Sequence, residues 1–265
     1  MVRKLKSRGF TVLAGTMVVA GPVAAACAPG PTYDDWAATD GAAGRINLEE
    51  VQNAFKKSGS PTEFEDKVNK IYEGDGLVLI RSSQDGDGLV LDGFEDLNGN
   101  GTIEDATDDL LFSIVNKDND NELRGHGANG YYRNSFGGGN FLFTYLLISS
   151  LSGPRYYSTA PARASTMRSS RANYRGSSAY RSQVSKNSGY FNRQKSFAGS
   201  RYTSASRNLS QGRTSYQSRQ KSTSAFRSSK TGVRSSWGAS SRSRGSGGFR
   251  GGGGAQMVIG SGRRV

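Results

Sequence analysis

The chain has 265 residues, a formal net charge of +13, one His and one Cys. That is room for one or two domains, with no intrachain disulfide and no zinc ligand set. The charge is split along the chain: between Cys27 and Leu151 there are 22 acidic and nine basic side chains, whereas residues 152–265 carry 22 basic side chains and no acidic one. An acidic body joined to a basic region reads as a domain with a solvated interaction tail.

Residues 1–26 have the three parts of a secretory signal. Arg3, Lys4, Lys6 and Arg8 open it, an apolar run follows from Phe10, and small residues close it. Ala24-Ala25-Ala26-Cys27 resembles a bacterial lipobox, although Ala24 stands where lipoboxes usually carry Leu. The resemblance implies a bacterial lipoprotein, lipidated at Cys27 and held on an extracytoplasmic membrane surface. An ordinary A-x-A cleavage and an uncleaved anchor are the alternatives. Residues 27–44, small, polar and rich in Pro and Gly, read as a flexible tether.

Residues 45–135 read as a small acidic α+β domain. Asn47 is placed to cap a helix whose Leu48, Val51 and Phe55 form one apolar stripe. A second helix begins at Ser60, with Pro61 in the first turn and Glu63 completing a capping box, and Gly74 stops it. Runs 77–81, 89–91 and 110–115 are short, apolar and rich in branched residues, so the expectation is a small antiparallel sheet with the two short helices on one face.

Between these strands lies SQDGDGLVLDGFEDLNGNGTIEDATD (83–108), which aligns on itself as two thirteen-residue copies. Short oxygen-bearing side chains at alternate positions, followed by Gly, can wrap around a hard cation. Asp96, Asn98, Asn100, Gly101 and Ile103 resemble the first half of EF-hand and dockerin loops. That resemblance implies calcium as a cofactor, with Asp85, Asp87, Asp92, Glu95, Asp96, Asn98, Asn100, Asp105 and Asp108 as ligands. Residues 116–123 offer a weaker third copy through Asp118, Asp120 and Glu122. The closing acids Glu95 and Asp108 fall one place later than an EF-hand requires. The competing reading is tight turns between strands, which favour the same residues.

Residues 136–151 read as a Gly hinge and a short apolar segment. The run 141–151 is too short to span a bilayer as a helix. His126 reads as a solvated loop histidine. No nucleophile–base pair or phosphate loop is legible, which points away from an enzyme and from a small-molecule substrate.

Residues 152–265 combine Arg, Ser and Gly with scattered aromatics and few aliphatics. With no legible helix or strand period, the segment is expected to be a disordered tail. Its composition resembles the Arg/Gly and Arg/Ser tails of RNA-binding proteins, which implies Arg175, Arg181, Arg193, Arg227 and Arg250 as polyanion contacts. The export signal turns the expectation from nucleic acid toward anionic envelope polymers or lipid headgroups. The protein's own acidic body is another partner for these cations.

Overall fold

A computed structural model of the chain describes residues 32–85, 88–117, 120–138, 142–144 and 157–223. The signal segment 1–26, Cys27, Asp87, Asp118, Arg227 and Arg250 lie outside the described residues, as do residues 141 and 145–151 of the apolar run.

The helices of the first half are α1 (Tyr33–Ala37), α2 (Leu48–Lys56) and α3 (Pro61–Ile71). Five strands follow: β1 (Val78–Asp85), β2 (Gly88–Glu95), β3 (Asp109–Lys117), β4 (Asp120–Gly125) and β5 (Arg133–Phe136). Four more helices complete the order: α4 (Pro161–Arg175), α5 (Ser178–Ala198), α6 (Ser200–Ala205) and α7 (Gln211–Thr223).

The two expected helices start where their caps place them. Asn47 accepts from the Glu50 amide, and Ser60 accepts from the Glu63 amide with Pro61 behind it. The Glu63 carboxylate reaches back one residue further than a standard capping box, to the Gly59 amide at 2.8 Å. Asn69 ties α3 to the sheet by exchanging both its amide hydrogen bonds with the main chain of Val78.

The strands form an antiparallel meander in the order β1-β2-β3-β4-β5. Alternation puts Val78, Ile80, Leu91, Phe112, Ile114 and Leu123 on the face that packs with Val51, Phe55, Phe64 and Val68 of α2 and α3. Leu142 and Phe143, from the apolar run, are buried in the same core. The exposed edge of β1 is covered by residues 157–159: Ser82 donates to the Tyr157 carbonyl at 2.8 Å and Thr159 to that of Ile80 at 3.0 Å.

Two expectations need correction. Residues 157–223, read as disordered, carry four helices, and they complete the core. The buried positions of α4 are Ala164, Met167, Arg171 and Arg175; those of α5 include Tyr180, Gln183, Asn187, Tyr190 and Phe191. Both sets recur every three or four residues, so a helical stripe is present. It is written mostly in Tyr, Asn, Gln and Arg, with few aliphatics such as Ala164 and Met167, which is why the apolar pattern did not show it. Tyr190 and Phe191 join the main core beside α2 and α3.

The tether reading of 27–44 also fails from residue 32 onward. Thr32 and Asp35 form a capping box on α1, Trp36 is fully buried, and Trp36 and Ala42 pack with Leu97 and Tyr216.

Candidate functional site

The two copies of the 83–108 repeat fold differently. In the first, Arg81 pairs with Asp92 and Val78 with Glu95 across a β1–β2 hairpin closed by Asp85 and Gly88. Asp85 and Glu95 therefore sit at opposite ends of an eight-residue ladder, roughly 23 Å apart at 3.3 Å per residue. No single ion reaches both. Asp92 lies mid-strand, and Glu95 is fully buried beneath the sheet's end. The third copy is likewise strand: Asp120 pairs with Lys117, and Glu122 binds Arg124 and Arg133, which hold its carboxyl down at about 2.

The second copy is a true loop, and it is wired to itself. Asp96 accepts from the amides of Gly99, Asn100 and Gly101, and Arg168 of α4 donates to the same carboxylate at 3.2 Å. Asn98 and Asn100 accept from the amides two residues on and donate to Glu104. Asp108 accepts from the amides of Leu97 and Glu104, and burial pushes its carboxyl up to about 6. Asp105 turns away to a two-pronged pair with Arg81. Among the described residues no group of three or more His, Cys, Asp and Glu is placed to hold a metal ion.

What meets the body's acids is the basic helices. Arg163 binds Glu65 and Asp66, Arg168 binds Asp96, Lys186 and Arg193 reach Glu50 and Glu49, and Lys195 reaches Asp40. The deepest contact is Arg213 of α7. It is 1% exposed and donates to Glu95 and, at 2.9 Å, to Asp109, while Tyr72 donates its hydroxyl to Glu95. Burial opposes the guanidinium's charge, but Glu95 and Asp109 outweigh it and hold the proton more firmly than in water. Glycines make room for this contact: a side chain on Gly44 would strike the Arg213 guanidinium, and one on Gly212 would strike the Thr107 carbonyl.

The polyanion candidates separate accordingly. Arg175 is buried and donates to the Gly74 carbonyl at 2.6 Å, so its assignment to a surface contact is revised. Arg193 is exposed but lies on Glu49 at 2.6 Å, and Arg181 is exposed. Arg227 and Arg250 lie outside the described residues.

One polar cluster was not legible in the sequence. The sheet face opposite the core carries a cross-strand row, Arg81–Asp92–Ser113–Arg124–Arg133. Ser113 donates to Asp92, and His126 stands 2.9 Å from the same hydroxyl through Nε2. With the serine proton on Asp92, the Nε2–H tautomer of His126 satisfies the contact. Burial holds His126 below its usual value and raises Asp92. His126 is thus a half-buried, hydrogen-bonded group and not a solvated one.

This chain matches no family model, no curated protein and no solved structure. Its geometry therefore has to carry the functional reading alone.

Two features bear on that reading. Residues 32–223 contain 23 basic and 22 acidic side chains, so the basic helices bring the body to near neutrality. The two ends of the described body also meet. Tyr33 donates its hydroxyl to the Gln217 carbonyl at 3.3 Å, Lys221 stands 5.2 Å over the Tyr33 ring, and Trp36 lies 6.4 Å from Tyr216, ring to ring. No helix among the described residues is long and apolar enough to cross a membrane.

Proposed function

We propose that this is an extracytoplasmic envelope protein, anchored to the membrane by lipid on Cys27, whose segment 224–265 lies against anionic lipid headgroups. The observation that carries this reading is the meeting of α1 and α7. Tyr33 lies only six residue steps beyond Cys27, a reach of at most about 22 Å. A lipid on Cys27 would therefore hold the start of segment 224–265 at the bilayer surface as well. That segment carries eight basic and no acidic side chains, and each is worth about 1 kcal/mol near an anionic leaflet. Lipid chains and a polybasic segment are the two-signal arrangement that makes peripheral anchoring stable. The near-neutral balance of residues 32–223 supports the same division of labour, because it leaves the surplus cations of the mature chain to segment 224–265.

The test is sedimentation of the full-length mature protein with vesicles of anionic or neutral lipid, together with its intact mass. The expected results are a diacylglycerol adduct on Cys27 and a preference for anionic vesicles that fades with salt and disappears when residues 224–265 are removed. Equal binding to neutral vesicles, or an unmodified Cys27, defeats the proposal.

A further inference from the structure

Among the described residues the large apolar side chains are buried or half-buried, with one exception. Phe197, in the last turn of α5, is 81% exposed. The fold fixes that exposure. Ala198, the next residue, is buried with Tyr131, Tyr202 and Ala205, and the Gly199 amide closes the last turn on the Lys195 carbonyl at 3.2 Å. Successive side chains of a helix point about 100° apart, so the turn that buries Ala198 presents Phe197 to the outside. A ring held there adds nothing to the core.

Its surroundings are cationic. Residues 192–207 carry Arg193, Lys195, Arg201 and Arg207 and no acidic side chain. Arg193 and Lys195 lean on Glu49 and Asp40. Arg201 and Arg207 are exposed and meet no acid among the described residues. An exposed aromatic ring beside unpaired guanidinium groups suits an anionic bilayer: acyl chains take the ring, and headgroup phosphates take the cations. A soluble polyanion would use the arginines and leave the ring in water.

The α5–α6 corner also lies beside the turn that follows α1. Asp40 in that turn accepts from the Tyr202 hydroxyl of α6 at 2.9 Å and faces Lys195 at 3.7 Å, while Arg45 stands 3.8 Å over the Tyr202 ring. A lipid on Cys27 would therefore bring this corner to the bilayer together with α1.

We infer that the α5–α6 corner is a membrane contact, with the Phe197 ring among the acyl chains of an anionic bilayer and Arg201 and Arg207 on its headgroup phosphates. The inference rests on the membrane reading above and adds to it the surface by which the folded body meets the lipid.

The experiment uses the full-length mature protein and vesicles of equimolar phosphatidylglycerol and phosphatidylcholine whose acyl chains carry bromine, a contact quencher of indole. Phe197→Trp is made in a Trp237→Phe background; the background alone, whose remaining indole is the buried Trp36, is the reference. The introduced indole should be quenched and shifted to the blue, while the reference keeps its emission. In sedimentation with unbrominated vesicles, Phe197→Asp in a Cys27→Ser chain should weaken partitioning at least about tenfold, the effect of withdrawing a buried Phe side chain. Arg201→Gln should weaken it about fivefold. Neither change should lower the melting temperature, because both side chains are exposed. The inference is overturned if the protein is bound but the introduced indole is not quenched, or if Phe197→Asp partitions like its parent. It is also overturned if the blue shift appears without vesicles and grows with protein concentration, which would assign the corner to a second copy of the chain. In those three cases the mass of Cys27 and the preference for anionic vesicles still decide the membrane reading; a protein that binds no vesicle at all defeats both.

Discussion

Replacing Arg213 by methionine removes the one cation that enters the body most deeply. The substitution keeps length and apolar bulk but strips the charge that faces Glu95 and Asp109, both buried. Breaking a buried pair from one side costs about 3–5 kcal/mol, because the carboxylates left behind stay desolvated and uncompensated. A domain's whole stability is about 5–15 kcal/mol, so Arg213→Met should be near the limit of folding at room temperature. The matched variant Arg213→Met/Glu95→Gln/Asp109→Asn removes all three charges and should recover most of the loss, since a neutral core of similar volume bears no such penalty. Urea denaturation of the full-length protein, followed by far-UV circular dichroism, gives both numbers. A loss under about 1 kcal/mol in the single variant, the value of a surface pair, would refute a buried docking of α7. So would a triple variant no more stable than the single one.

Gly44 has φ of +75° and leaves no room beside the Arg213 guanidinium, so Gly44→Ala should cost about 1–3 kcal/mol in the same urea assay. His126 is held below its ordinary value, so the unfolded chain binds its proton first as pH falls. The stability tied to neutral His126 is complete above about pH 6.5 and declines below it; urea midpoints between neutral and mildly acid pH should fall less in His126→Gln than in wild type. Hydrogen exchange should show protected amides in residues 161–198; exchange at the free-chain rate there would contradict the α4 and α5 helices. Calcium should not raise the melting temperature, because Asp96 is already taken by three amides and Arg168; a saturable rise at millimolar calcium would restore the 96–108 loop as a metal site.

What was readable depended on which chemistry wrote the pattern. Asn47 and Ser60 announced their helices because a short polar side chain before an apolar stripe has one common use. Branched runs announced three strands; β4 and β5 were missed because DNELRG and RNSF (120–125 and 133–136) have little apolar content and sit toward one edge of the sheet. The repeat misled because identical spacing was read as identical structure. Its first copy contains Leu89, Val90 and Leu91, which pair into β2, whereas the second has Thr102, Ile103 and Glu104 at those places and stays a loop. The largest miss was residues 157–223. Their buried stripe is mostly Tyr, Asn, Gln and Arg, and such polar side chains are buried against a surface rich in carboxylates and carbonyls. That surface lies about a hundred residues earlier in the chain, beyond the reach of any local window. The Asp92–Ser113–His126 cluster was hidden for the same reason: it is made by register across β2 and β3 and by the residue that follows β4.

The separation between Glu95 and Arg213, 118 residues, also sets an order of events. A chain that emerges from its amino end presents all its carboxylates before most of the cations that will neutralise them. Until α7 arrives, Glu95 and Asp109 have no arginine, and the sheet that would bury them is held back by its own charge. Such long-range closure makes for slow folding. Under the proposed export of the chain as an unfolded thread, that delay would keep the body from locking shut while its last third is still on the other side.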